Sequence, residues 1–397
     1  MPFIGNKPSA VPLTSADIAD NIITSAKIVD GTIVNSDIST TSAITLNKLS
    51  GNPNFRNIVI NGDMQIAQRS TSVASITTSG YYTLDRWNVV LSSLGTFTMS
   101  QSTDVPTGQG FASSLKLDCT TADASPAAGD IFFIQQKIEG QNLQYLKKGT
   151  ANAVSLTASF WVKSTKTGTF IVEFYDYDNG RQVSKSYTVN VSNTWEFKTV
   201  TFPADTTGAF GNDNGLSANL IFWLGAGSTY SSGTLNTSWG STVFANQAAG
   251  QVNIADSTSN DFLITGVQLE AGTSATDFEF LPIDVDLARC ARYYYKFGDM
   301  WINTQYARFG GADGVSANNL QFKTRMRANP SYTHGTAGNN VASRRGSTNA
   351  DFTIASAEGA NTDSLNMTIY NGGGGLSWSA GTAFPAVYSN LEVNSEL

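Results

Sequence analysis

The sequence is poor in charge, in histidine and in cysteine, and each shortage excludes a class of function. Of its 397 residues, 14% are Asp, Glu, Lys or Arg, against about 25% in an ordinary soluble protein. The formal net charge is -7 and no basic tract occurs. Nucleic acid is therefore not an expected partner, because phosphates are gripped by clustered Lys and Arg. The one histidine, His334, lies in SYTHGT with no cysteine nearby. Neither a zinc site nor a Ser-His-Asp arrangement has the groups it needs. Cys119 and Cys290 allow at most one bridge, so no disulfide framework exists, and assembly in a reducing cytoplasm is expected. No apolar run approaches the roughly 20 residues that span a bilayer; LIFWLGA at 220–226 is among the longest. No membrane insertion is expected. The opening MPFIGNKPSAVPL has neither the charged start nor the continuous apolar core of a signal peptide, so export by the usual route is not expected either.

Gly, Ser, Thr and Asn are abundant instead. That profile suits β-rich extracellular or virion proteins, whose surfaces are covered by hydroxyls and amides more than by charge. Within the first 50 residues, TSADIADNIITSAKIVDGTIVNSDI places isoleucine at every fifth position: Ile18, Ile23, Ile28, Ile33 and Ile38. A helix turns about 100° per residue, so steps of five advance by roughly 140° and build no single apolar face. In a strand an odd step alternates faces. Neither element buries this set against its own chain, whereas copies wound about a shared axis do. The pattern predicts a fibrous oligomeric stem over 1–54, with those five isoleucines packing along the axis. The boundary falls near SGNPN, at Gly51 and Pro53.

Residues 55–281 read as many short strands. The clearest hairpin is GTFIVEFYDYDNGRQVSKSYTVNV, with Phe170, Val172 and Phe174 facing one way in its first arm. Val183, Tyr187, Val189 and Val191 share a face of the second arm, and Asn179-Gly180 supplies the turn. GQNLQYLKKG at 140–149 suggests a short helix. The spacing of strands and turns predicts an antiparallel jelly roll or β-sandwich. PIDVDLARCARYYYKF at 282–297 has helical spacing and reads as a connector. Residues 298–397 resume short strands between glycine-rich turns such as NGGGG, giving a small C-terminal β-sandwich.

Two kinds of candidate site stand out. Aromatic faces stack on the C–H faces of pyranose rings while polar side chains bond the hydroxyls. Trp223, Tyr230 and Trp239 cluster in one loop-rich stretch; Tyr370, Trp378 and Tyr388 are spread through the C-terminal part, with Tyr370 and Trp378 flanking four glycines. Most large rings in sandwiches are core, which competes with this reading. In FKTRMR, Lys323, Arg325 and Arg327 alternate with Phe322, Thr324 and Met326, which predicts a strand with one cationic face. Such a stripe would meet anionic polysaccharide, or else be solvated. Asp176 and Asp178 are spaced as a pair of carboxylates, but DYDNGR is the mouth of a tight hairpin, where Asp serves turn chemistry. No catalytic residue is expected.

The segments NIVINGDMQIAQRS at 57–70, YYTLDRWNV at 81–89, FLITGVQLEAGTSATDFEFLP at 262–282 and DLARCARYYYK at 286–296 resemble those of bacteriophage tail fibre proteins. FKTRMRANPSYT resembles a strand of the domain that follows, and the pentads look like N-terminal stems of cyanophage-type virion proteins. The resemblance implies a homotrimeric appendage made in the bacterial cytoplasm and carried on the virion. Its N-terminus would dock on phage tail or neck adaptor or portal-proximal proteins, its jelly roll would resemble carbohydrate-binding modules, and its exposed end, 298–397, would be the receptor-binding tip that meets host cell-surface polysaccharide. No cofactor is expected. Carbohydrate-binding jelly rolls often hold a structural calcium after an opening Asn-Gly. Here Asn61-Gly62-Asp63 is present, but Gln65 and Ile264-Thr265-Gly266 stand where carboxylates would be typical, and Asp261 is the nearest acid. A purely structural neck or decoration fibre, and less so a polysaccharide depolymerase, remain alternatives.

Overall fold

The computed structural model describes residues 55–297, 320–333, 361–364 and 391–397 in full, together with strand backbone at 300–305, 307–309, 312–319, 352–356, 365–371 and 383–388 and positions 23, 24, 28, 29, 32 and 37. The chain divides into two compact units, 1–52 and 53–397. In the first, Ile23 and Ile28 are exposed in the single chain, and Ile18, Ile33 and Ile38 lie outside the described residues.

The second unit is built on twelve strands. They are β1 (Ser72–Ile76), β2 (Asn88–Ser92), β3 (Thr96–Ser102), β4 (Ser114–Thr121), β5 (Ile131–Glu139) and β6 (Leu156–Ser164). There follow β7 (Gly168–Asp176), β8 (Arg181–Val189), β9 (Glu196–Phe202), β10 (Leu216–Ala226), β11 (Gly240–Ser241) and β12 (Asp261–Ala271). They form two six-stranded sheets, ordered β1-β3-β4-β12-β6-β9 and β11-β8-β7-β10-β5-β2. Every pairing is antiparallel. The fold is thus a mostly β, jelly-roll-type sandwich, as the strand spacing predicts.

Period-two alternation aims one face of each sheet at a shared core. Leu115 and Leu117 of β4, Phe160 and Val162 of β6, and Phe262 and Ile264 of β12 meet Phe170 and Phe174 of β7 and Leu220 and Phe222 of β10. In the β7–β8 hairpin, Phe170, Val172, Phe174, Val183, Tyr187 and Val189 enter this core, while Val191, beyond the end of β8, is exposed. The turn is a four-residue loop closed by Asp176 opposite Arg181, with Gly180 at φ 57°. β10 is buried on both faces: Ile221 and Trp223 point away from the core, beneath an excursion at 227–251 that carries the single-turn helix α1 (Ser228–Ser231).

Three expectations change. Residues 140–149 form two 3-10 turns, Gly140–Asn142 and Gln144–Leu146, which stop where Lys147 takes a left-handed φ of 52°. The 282–297 connector is helical only in α2 (Ile283–Ala291); its tyrosine-rich end becomes strand β13 (Tyr294–Lys296), which suits aromatic side chains and finds a partner ladder. FKTRMR is not a strand. Phe322 and Met326 donate their N–H groups to Asp363 and Thr362 carbonyls, and Arg327 to that of Arg292, so the segment is held by loops.

Beyond β13 come β14 (Met300–Gln305), β15 (Ala307–Phe309), β16 (Ala312–Gln321), β17 (Ser331–Thr333), β18 (Phe352–Ser356), β19 (Ser364–Asn371), β20 (Ala383–Tyr388) and β21 (Glu392–Asn394). They pair as β13-β21-β17, β14-β20 and β15-β16-β19-β18. Among the described residues no helix is long and apolar enough to cross a membrane.

The end of the chain returns to the sandwich and is fixed there by a buried cation. The Arg86 side chain is 1% exposed; it pairs with the Glu396 carboxylate, donates to the Lys137 carbonyl at 2.5 Å, and lies 3.4 Å over the Tyr293 ring. Arg292 and the Tyr293 hydroxyl reach Glu139 of β5 beside it. Removing one partner of a buried pair leaves an uncompensated charge, at a cost of about 3–5 kcal/mol. Glu396→Ala should therefore lower unfolding stability by about that amount in urea titrations, and Glu396→Gln by less, because an amide still accepts.

Candidate functional site

The structure disperses the sequence-predicted residues. Trp223 is 2% exposed and donates its indole N–H to Glu173 at 2.9 Å, so it is core and not a stacking surface. Tyr230 packs 5.7 Å from it. Trp239 lies 6.0 Å from Phe174 and donates to the Pro203 carbonyl at 2.7 Å, a separate contact. Arg325 is exposed, near Thr362 and Asp363. Arg327 turns inward and donates to the carbonyls of Ser395, Glu396 and Asn214 at 2.6, 3.2 and 3.1 Å, which makes it a brace for the chain end. Tyr370 lies in β19 and Tyr388 in β20, but their side chains, like Trp378 and His334, lie outside the described residues.

What the structure does bring together is a set of aromatic residues that the sequence reading passed over. On the outer face of the first sheet lies an open groove of about 610 Å³. Its floor follows from the alternation in β6: Ala158, Phe160 and Val162 enter the core, so Ser159 and Trp161 face out. From β9, Phe197 sets its ring 5.3 Å from Trp161 and stays 47% exposed. One wall carries Phe111, Phe278 and Phe280, whose three rings pack within 4.9–5.1 Å of one another. Gln109, Ser159, Thr276 and Asp277 add polar groups.

Two features hold this geometry. Gly266 sits at φ 61° where β12 bulges away from β6, and a Cβ there would fall 2.5 Å from the Phe111 ring. The wall at 275–280 is anchored from beneath by a buried polar network. Gln268 Nε2 donates to Glu270 at 2.8 Å, Glu270 accepts from the Thr276 N–H at 2.9 Å, and the Glu279 N–H donates to Gln268 at 2.8 Å. Glu279 in turn accepts the N–H groups of Phe55 and Asn57, and Arg56 bonds Thr276 at 2.8 Å. Networks satisfied in this way rigidify what they hold. Further along the sheet face, Lys163 and the Trp195 indole donate to Asp104 at 2.7 and 2.9 Å. Partial burial raises the Asp104 carboxyl, but these two donors outweigh it and keep it below the ordinary range.

Acids and metals fit poorly elsewhere. Asp176 is buried and bonded to Lys148 at 2.5 Å, and Asp178 accepts the Gly211 N–H, so the two serve the hairpin and its neighbours. The Asp63 carboxylate accepts from Gln65, and Thr265 of β12 donates its hydroxyl to the Asp63 backbone carbonyl. Asp261 lies instead beside Lys116. With Asp261 held beside Lys116 and Ile264-Thr265-Gly266 carrying no carboxylate, β12 does not supply the acids of the calcium site that the resemblance implies. Among the described residues no three or more His, Cys, Asp or Glu side chains gather to hold a metal ion.

The fold defines an antiparallel jelly-roll sandwich. Solved structures similar to it include a tailspike protein 4 domain of bacteriophage CBA120 (18% identity, TM-score 0.29, 54% of this chain and 21% of that one). A putative sugar binding protein from Bacteroides thetaiotaomicron gives 12% identity and a TM-score of 0.30, covering 54% of this chain and 99% of that one. TmCBM61, solved with β-1,4-galactotriose, gives 11%, 0.28, 54% and 99%. The chain thus spans about a fifth of the tailspike domain it matches. Likeness at this level carries no inference of function. No family model matches the chain, and no curated protein matches its sequence.

Beneath the excursion at 227–251, Glu173 accepts from Trp223 and, at 3.1 Å, from Gln247. Burial pushes its carboxyl from the ordinary 4.5 up to about 8. Between those values the folded chain keeps a proton that the unfolded chain has lost, so stability falls as pH rises through that window, by up to ~1.4 kcal/mol per pH unit, and then levels off. Glu173→Gln should remove this slope. Its denaturation midpoint should exceed that of the natural chain by a margin that grows between about pH 5 and pH 8.

Proposed function

We propose that the chain is a non-enzymatic virion fibre protein that holds host surface polysaccharide in the aromatic groove of its sandwich. The observation that carries this reading is the grouping of Trp161, Phe197, Phe111, Phe278 and Phe280 around one open, pre-set trough edged by amide, hydroxyl and carboxylate groups. Ring faces take the C–H surfaces of pyranoses, and the edge groups take their hydroxyls. The groove is open along the sheet, which suits an extended chain more than a small molecule.

The same lining supports the reading of binding without cleavage. Glycoside hydrolysis uses two carboxyl groups astride the bond, and among the described residues Asp277 is the only carboxylate that lines the groove. The N-terminal pentads complete the reading: three chains share their isoleucines along an axis, the leader docks on a tail or neck protein, and three grooves act on one host surface. Linked weak sites gain through effective concentration without any new contact.

Trp161→Ala and Phe197→Ala should each weaken capture on an array of bacterial surface polysaccharides by about 2- to 10-fold, with folding intact. Unchanged capture by both variants, or shortening of the polysaccharide by the natural chain, would overturn the reading. Sedimentation equilibrium should give a trimer in place of the 42.3 kDa monomer, and a double change of Ile23 and Ile28 to Ser should shift it toward monomer.

A further inference from the structure

Among the described residues that line the aromatic groove, Asp277 alone carries a charge. Its backbone is fixed: the carbonyl accepts from Arg56 and, at 3.3 Å, from Gln268. Its side chain is exposed, and among the described residues its carboxylate takes part in no hydrogen bond or ion pair. The other two carboxylates of this wall are engaged, Glu270 by Gln268 and Thr276, and Glu279 by the N–H groups of Phe55 and Asn57. A carboxylate held in place by its backbone yet unbonded, in one groove with five aromatic rings, is placed to contact whatever those rings bind.

The cations around the groove are already matched. Lys163 bonds Asp104 at 2.7 Å, Lys116 sits 3.3 Å from Asp261, and Lys198 bonds Glu196 at 2.6 Å. Behind the wall, Arg56 lies 3.7 Å from Glu270 and 3.8 Å from Glu279. Arg289 shares a small hollow with Asp63, Glu279 and Asp286, and is 3.9 Å from the last of them. Carboxylates thus outnumber cations on this side, and among the described residues no cation lines the groove itself.

These charges select among polysaccharides. An ionised carboxylate offers two acceptor oxygens and no donor, which suits adjacent hydroxyls of a sugar ring. Hydrogen bonds to an ionised acceptor are also the stronger kind. A uronate or phosphate brought to the same place would leave water, meet a like charge and find no partner. Given the polysaccharide groove proposed above, on which this rests, we infer that Asp277 sets its specificity. The carboxylate receives two hydroxyls of one uncharged sugar unit and turns away chains that carry uronate or phosphate.

The test uses the full chain with immobilised dextran, laminarin, mannan and galactan, the carboxymethyl derivative of each, and polygalacturonate, read by biolayer interferometry. At least one neutral chain should be captured, and its carboxymethyl derivative and polygalacturonate should be held about 10-fold more weakly. Raising the salt from about 0.1 M to about 1 M shortens the screening length from about 10 Å to about 3 Å, so it should narrow that gap. Asp277→Asn removes an exposed charge and should fold with the melting temperature of the natural chain. It should lose about 3- to 10-fold for the neutral chain and gain for the carboxymethyl derivative. Asp277→Lys should reverse the order of the two. Asp284→Asn removes an exposed carboxylate of α2 that does not line the groove, and should leave both affinities unchanged. Capture of none of these neutral chains, equal capture of neutral and acidic chains, affinities unchanged by both Asp277 variants, or the same effect from Asp284→Asn would each overturn the inference. Capture of a neutral chain that Trp161→Ala leaves unchanged would instead overturn the groove reading.

Discussion

The arrangement of the second unit depends on one buried guanidinium. Arg86 stands directly before Trp87 in the opening motif, is closed off from water, and must be matched from nearby or not be charged there at all. Its matches come from three distant parts of the chain: the Lys137 carbonyl of β5, the Tyr293 ring at the end of α2, and Glu396 close to the last residue. The apolar cluster at the same place is small, consisting of Ile60, Ile66, Cys290 and Tyr293 with Leu397 against them. Electrostatic matching therefore fastens the chain end at Glu396 to the sandwich beside this small cluster. Arg69, Asp85 and Glu396 continue the same network.

The sandwich treats its two outer faces differently. On the second sheet, the excursion at 227–251 closes over Ile171, Ile221 and Trp223 and converts that face into a satellite core. On the first sheet, the segments around Phe111 and at 275–280 meet through their rings and leave Trp161 and Phe197 open in the groove beside them. Both coverings are irregular in backbone, and each is held by side-chain bonds: Gln247 to Glu173 on one face, and Gln268, Glu270 and Glu279 on the other. Open and closed faces are thus set by where loops are pinned, with both sheets following the same alternation.

That distinction explains what could be read from the sequence. Strand periodicity and the hairpin at 168–189 follow from local spacing, so the sandwich was legible. The aromatics were legible as rings but not as places. Trp223 and Trp161 both sit in strands, and period two says only that each lies opposite its core-facing neighbours. Which outer face stays open depends on where residues more than 160 positions apart come together, such as Gln109 and Asp277 on one groove. Gly266 was a usable signal, because a glycine inside a strand pattern marks a bulge or a close approach. Arg327 shows the reverse case: alternation persists through FKTRM, with Met326 buried and Arg325 exposed, yet the backbone joins no ladder and the last arginine is taken up by the chain end.

On the proposed reading, low charge and shallow sites belong together. A surface with few charges and no basic tract gives little long-range attraction, so encounter with a cell is not strongly steered. Recognition then rests on short-range stacking and hydrogen bonds in grooves that stay open to solvent, and such contacts are individually weak. Weakness in each site is useful when copies are joined, because one site can release and rebind while the others hold. That benefit requires the sites to keep their spacing. A stem in which isoleucines from several chains share one axis supplies it, whereas an independent flexible leader would let the effective concentration fall with its length.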